Sequence, residues 1–235
     1  MEPTRTMPII KIAGESQQRV DDALVQERRV TLSMGGERLL DVACSPGSLR
    51  ELVYGHLLAV GRIGACEDVA TIAVSETDID VRLAGAKPTV QAEPDVTRNA
   101  LSVSKDQMIE VVRSAESLGT LFRKTGGTHL AAVVPCGSKP VVVEDISRTC
   151  ALEKALGAAM LRNVAFERSI LVVTSRVPMS FVRVAARAGI PILGAVSAPT
   201  YQAVEEADRL GICLCGFVRG VRLNVYSQPW RVDLT

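Results

Sequence analysis

Near its C-terminus the chain carries two arginines three residues apart, in the run Phe217, Val218, Arg219, Gly220, Val221, Arg222. A guanidinium is a rigid fork of N–H donors that matches phosphate or carboxylate oxygens in pairs. On a straight strand, residues three apart face opposite sides. Gly220 permits a bulge or turn that brings both arginines to one rim. The pattern describes an anion grip, and it also describes two surface arginines in a β-turn. A second candidate is Thr125-Gly126-Gly127-Thr128-His129. Glycines let backbone approach a ligand closely, and they also end helices. His129 opens an apolar strand, where a satisfied structural histidine is the plainer reading. His56 lies on the apolar face of a helix and reads as core. Glu144, Asp145 and Arg148 stand at a strand-to-helix junction, where a Ser147 or Thr149 cap and a local salt bridge account for them. An anion at that helix N-terminus is the weaker alternative.

The six cysteines (44, 66, 136, 150, 213 and 215) are dispersed, with no C-x-x-C. In a reducing compartment they read as thiols. Cys136 follows proline in VVPCGSK, but a zinc deaminase needs H-x-E and P-C-x-x-C. Here His129 is followed by Leu130 and Ala131, and Cys136 by Gly137, Ser138 and Lys139, so both halves fail. Two histidines and scattered cysteines give no zinc set. A P-loop, a dinucleotide fingerprint and a nucleophile elbow are all missing.

The elements that must position these residues follow from periodicity. Residues 1–22 read as a flexible tail. A hairpin over 30–44 turns at Gly35-Gly36. A helix over 48–61 opens with a Ser48–Glu51 capping box. A strand pair covers 69–76 and 79–85, and 87–99 is loop-like. A second capping box, Ser104 with Gln107, opens a helix to about Arg123, stopped by Gly126-Gly127. A hairpin over 129–145 and a helix over 151–163 follow. From 169 to 218 the order is strand, helix, strand, helix, strand with short links, which requires parallel pairing and right-handed crossovers. The fold class is therefore α/β, with an N-terminal α+β portion over 23–96 and an α/β core over 97–235. In such sheets ligands bind beyond the C-terminal strand ends. That rule places 174–176, 197–200 and 217–220 on one rim.

The bulk numbers exclude other classes. Of 235 residues, 47% are hydrophobic and 23% charged, with net charge +1 and 3% aromatic. That argues against a nucleic-acid binder, whether by a basic stripe or by base stacking. No apolar run reaches the roughly 18 residues of a membrane span. The N-terminus lacks a signal peptide's apolar centre, so the expected location is cytoplasmic.

Residues 175–226, from SRVPMSFVRVAARAGIPILGAVSAPT to FVRGVRLNVY, resemble the C-terminal core of the formate dehydrogenase accessory sulfurtransferase family. TGGTH, EDISRTCALEKALG (144–157) and the opening over 24–63 are similar to it as well. The likeness spans roughly 24–230. It implies a cytidine-deaminase-like three-layer core and a homodimer. It implies sulfur taken as a persulfide from a cysteine desulfurase and passed to the molybdenum or tungsten pterin guanine dinucleotide of formate dehydrogenase. It implies that Phe217 to Arg222 contact the guanine dinucleotide, with Gly126, Gly127 and His129 beside it. The family's C-x-x-C loop falls on TRNALSVSKDQM (97–108), which has no cysteine. Either Cys136 or Cys150 takes the sulfur, or the chain binds its ligand without carrying sulfur.

Overall fold

The first strands arise where the composition signals none. The computed structural model describes residues 2–85 and 95–233, so positions 87–94 of the expected loop lie outside the described residues. Residues expected as a tail pair instead as an antiparallel hairpin, β1 (Thr4–Ala13) with β2 (Ser16–Val25), around Gly14 at φ 59°. Most of its side chains are exposed, so no apolar face marked it in the sequence.

The second hairpin forms as expected, β3 (Arg28–Met34) with β4 (Glu37–Cys44). Gly35 and Gly36 take φ 58° and 83°, the pair of positive values a tight hairpin turn requires. Helix α1 (Leu49–Ala59) follows. Its expected capping box is not made: Ser48 sits in the left-handed region at φ 56°, with no side-chain cap. The loop before it is held from elsewhere, since Lys154 Nζ donates to the carbonyls of Ser45 and Gly47, both at 2.7 Å. Strands β5 (Val69–Val74) and β6 (Asp78–Leu83) complete a four-stranded sheet in the order β4-β3-β6-β5.

A short strand β7 (Val103–Ser104) leads into α2 (Lys105–Leu118), whose Ser104–Gln107 capping box is present. The helix ends at Gly119, not near Arg123, and a separate α3 (Leu121–Thr125) follows, with Gly126 at φ 66° as its cap. The break has a long-range cause. The Glu144 carboxylate accepts from the amides of Thr120, Leu121 and Phe122 at 2.7–2.8 Å, starting a new helix from across the fold.

Then come β8 (His129–Pro135), β9 (Val141–Asp145), α4 (Arg148–Met160), β10 (Ser169–Val173), α5 (Met179–Ala188), β11 (Ile192–Ala195) and α6 (Tyr201–Leu210). The chain closes with β12 (Cys213–Arg219), β13 (Arg222–Ser227) and β14 (Val232–Asp233), the last paired with β7. The central sheet runs β13-β12-β11-β10-β8-β9, and β10, β11 and β12 are parallel, as their short links demand.

The strand pleat divides the core. Leu171, Val173, Leu193 and Leu214 face α4, α5 and α6, while Ile170, Val172, Ile192 and Cys213 face α2. The first of these clusters runs on without interruption into α1 and the smaller sheet, through Leu52, Leu57, Val30, Leu32 and Ile79. Helices α1 and α4 cross with almost no side chain between them. A Cβ on Gly157 would lie 1.9 Å from the Glu51 carbonyl oxygen, and one on Gly55 1.6 Å from that of Glu153. Beside this crossing His56 is buried, as expected, with Nδ1 3.1 Å from Glu153 Oε1.

Candidate functional site

The parallel strands deliver their C-terminal ends to one rim. There the expected segments meet: Phe217 donates its amide to Ser197, and Val177 bridges to Pro199. Between this rim and α3 lies a cavity of about 620 Å³. It is lined by Gly126, Gly127, His129, Arg123, Arg219 and Glu116, with Thr128, Leu130, Glu144, Thr174 and Val196 among the rest. Residues separated by ninety positions in sequence thus share one wall.

Each side chain is placed by a local cause. Phe217 adopts φ 51°, rare for a bulky residue, at the irregularity between Gly216 and Arg219 in the β12–β13 ladder. That kink leaves Val218 buried and turns Arg219 outward. Arg219 Nε then donates to the Val196 carbonyl at 2.8 Å, which fixes the fork and leaves its outer nitrogens for a ligand. Arg222 pairs directly across from Arg219 in the hairpin, and Gly220 supplies the turn at φ 59°. Arg222 is exposed and does not line the cavity. Of the six residues in this motif, only Arg219 reaches the cavity wall.

Gly126 ends α3 with open space where a Cβ would be, whereas a Cβ on Gly127 would press Val25 at 2.8 Å. The first glycine keeps the cavity mouth clear, and the second lets the β1–β2 hairpin rest against the loop. Burial holds His129 below its ordinary pKa, helped by the Arg148 and Arg176 charges. The shift favours the neutral imidazole, which can donate or accept a hydrogen bond.

Sequence reasoning missed Arg123 and Glu116, and it placed Glu144 only at the strand-to-helix junction, not in this cavity. Arg123 makes no ion pair among the described residues, so with Arg219 it gives the cavity two available guanidiniums. Glu144 is saturated by the three α3 amides and Thr128 Oγ1. Burial raises the Glu116 carboxyl above the usual range, opposed by Arg219. Asp145 does not bridge to Arg148. It is fully buried, 2.6 Å from Lys154 Nζ, and it takes the amides of Ser45 and Ser147. Ser147 caps α4, as one of the two expected caps.

The sequence model of the FdhD/NarQ family matches residues 25–100 and 85–233. The chain belongs to that family. It is 30% identical to the sulfur carrier protein FdhD of Methanothermobacter thermautotrophicus, across 93% of this chain and 94% of that one. It is 32% identical to the sulfur carrier protein FdhD of Nocardia farcinica, across 95% of this chain and 93% of that one. Its fold matches the crystal structure of a putative formate dehydrogenase accessory protein from Desulfotalea psychrophila, with a TM-score of 0.85 at 22% identity, covering 98% of this chain and all of that one. The family resemblance drawn from 24–230 is thus borne out.

Within this FdhD/NarQ fold the thiols differ sharply. Cys150 is buried, and a hydrogen bond with Cys44 together with burial drives its pKa upward. Cys213 and Cys215 are buried on one strand face with sulfurs 3.9 Å apart. Cys136 is exposed at the tip of the β8–β9 hairpin. Strand β8 runs from His129 to Pro135, so Cys136 lies roughly 20 Å from the Arg219 cavity, at the opposite end of the sheet. Among the described residues no group of three or more His, Cys, Asp or Glu is placed to hold a metal ion, and no helix is long and apolar enough to cross a membrane.

Proposed function

We propose that this chain is a cytoplasmic formate dehydrogenase accessory protein that holds the molybdenum pterin guanine dinucleotide cofactor as its client ligand and assists its sulfuration and insertion. One observation carries the reading: Arg219, from the dinucleotide motif, lines the same cavity as Gly126, Gly127 and His129. The cavity volume suits a nucleotide-sized ligand. Arg219 and Arg123 would take the phosphates, the glycine loop would lie alongside, and neutral His129 would donate or accept one hydrogen bond. The metal is cargo and needs no protein ligand here. The cytidine-deaminase-like description of the core and a homodimeric assembly belong to the same reading, as does sulfur supply by a cysteine desulfurase.

Sulfur enters through Cys136, the exposed thiol. Its thiolate attacks the outer sulfur of the donor's persulfide; the donor S–S bond breaks and its thiolate leaves. Cys136 gains one sulfur, and nothing is oxidised or reduced overall. Buried Cys150, with its raised pKa, is excluded from this role.

The test is calorimetric titration with guanosine diphosphate. Arg219→Ala should weaken binding about tenfold or more, the loss of a charged hydrogen-bond pair. Unchanged affinity would overturn the site. Desulfurase and cysteine should add one sulfur to Cys136, read by peptide mass spectrometry and absent in Cys136→Ser. Guanosine diphosphate binding with no sulfur on any cysteine would mean a binding homologue that no longer carries sulfur.

A further inference from the structure

The turn that bears Cys136 is a ridge with a cleft on each side. Gly137 takes φ 76°, Ser138 donates its amide to the Pro135 carbonyl at 3.2 Å, and Cys136 donates to the Arg168 carbonyl at 2.9 Å. One cleft, about 760 Å³, opens toward α2; the other, about 510 Å³, opens toward the segment after α4. Both are lined by Pro135, Cys136, Ser138, Lys139 and Pro140. The two clefts differ in charge. The first carries Glu110, which is tied to Arg113, beside the shared Lys139. The second carries Lys139, Arg162 and Arg168 and no carboxylate.

These three cations are exposed, and none makes an ion pair or side-chain hydrogen bond among the described residues. Elsewhere Arg29, Arg62, Arg98, Arg113, Arg183 and Arg209 each meet a carboxylate. With a net charge of only +1, three uncompensated cations in one cleft are a local surplus, not a reflection of a basic chain. Such a surplus steers an oppositely charged surface and fixes its orientation.

We propose that the cleft of Lys139, Arg162 and Arg168 docks the acidic face of a partner protein, which straddles the ridge and brings its own reactive sulfur to Cys136. This rests on the reading above, in which a protein donor loads Cys136. A small anion would fill one cleft and leave the ridge bare. A protein surface covers both clefts and the crest together, and the apolar Pro140, Val164 and Ala165 give it a floor. Nucleic acid has no aromatic platform and no extended basic stripe to follow.

The experiment measures binding of a purified cysteine desulfurase to the full chain by surface plasmon resonance. Wild-type affinity should fall as salt rises from about 0.05 to 0.3 M. Lys139→Glu, Arg162→Glu and Arg168→Glu combined should cost about tenfold or more in affinity, mostly through a slower on-rate. The same variant should keep wild-type affinity for guanosine diphosphate, which shows that it folds. Desulfurase affinity unchanged by the charge reversal would overturn the proposal, as would no binding by wild type. Pyrophosphate displacing the desulfurase at micromolar concentration would assign a small-anion site and overturn it too. The two readings fail separately. Charge-dependent docking without sulfur on Cys136 removes the loading step alone. Sulfur loaded equally fast on the triple variant removes the docking alone.

Discussion

The two ends of the central sheet are built differently. At the rim, three parallel strands end together, and their loops interlock through Phe217 with Ser197 and Arg219 with Val196. The result is a cavity whose Arg219 is fixed by a backbone carbonyl. At the foot, one hairpin turn projects between two open clefts and carries an exposed thiol and unpaired cations. The rim suits a small ligand that must be held; the foot suits a large one that must come and go. Under the proposed function, in which the foot receives sulfur and the rim holds the ligand, the body between them must be rigid. The shared apolar cluster from the small sheet to α6 supplies that rigidity.

The comparison breaks most completely if the scaffold itself gives way. Gly157→Ala places a methyl 1.9 Å from the Glu51 carbonyl oxygen, against backbone that cannot rotate aside. The expected cost is about 3 kcal/mol or more, a large part of a typical folding stability. Both ends should lose thermal resistance together. Thermal unfolding and guanosine diphosphate binding check this. A Gly157→Ala protein that melts like wild type would mean the α1–α4 crossing is looser than its geometry.

The next largest effect separates the thiols. Cys136 should react with iodoacetamide about a hundredfold faster than Cys44, Cys150, Cys213 or Cys215, because burial denies those four reagent access and also pushes the Cys150 and Cys215 thiols up. Peptide mass spectrometry over time reads each site. Equal labelling of Cys150 would show that the α1–α4 region opens and would return Cys150 to contention as a sulfur carrier.

How much of this was legible depended on the range of the forces involved. The parallel core was readable because buried strands are continuous apolar runs and short links force their handedness. Gly35-Gly36 and Gly126 announced their turn and cap because positive φ favours glycine, and each has it. The misses were set by distant partners. Glu144 starts α3 from more than twenty residues away, and Lys154 holds the loop where Ser48 was expected to cap. The β1–β2 hairpin buries too little to leave an apolar pattern. At the site, Arg219 and the glycines were visible as types at spacings, but Arg123 was an ordinary helical arginine until α2 broke. Arg222 shows the reverse, an eligible residue that the ladder register keeps outside.

The smallest effect tests the scaffold midway between the ends. Glu206 on α6 accepts from Arg183 Nε of α5 at 2.6 Å and from Arg209 Nε at 2.8 Å, and those two hydrogen bonds hold its carboxyl down at about 2. The folded pKa lies below the usual 4.5, so the stabilisation is fully present above pH 4.5 and is lost as pH falls toward 2. Both arginines are more than half exposed, so solvent screening reduces the contribution to about 1 kcal/mol. Glu206→Gln should therefore lower stability by about that much at pH 7, with the gap to wild type closing between pH 4.5 and 2. Urea denaturation at several pH values reads the gap directly. Affinity at the rim and docking at the foot should both stay at wild-type values, because no residue of α5 or α6 lines the Arg219 cavity or the Cys136 clefts. A change at either end would mean that the helices on this face transmit strain to it, and the two ends would then be linked through the scaffold, not merely held apart by it.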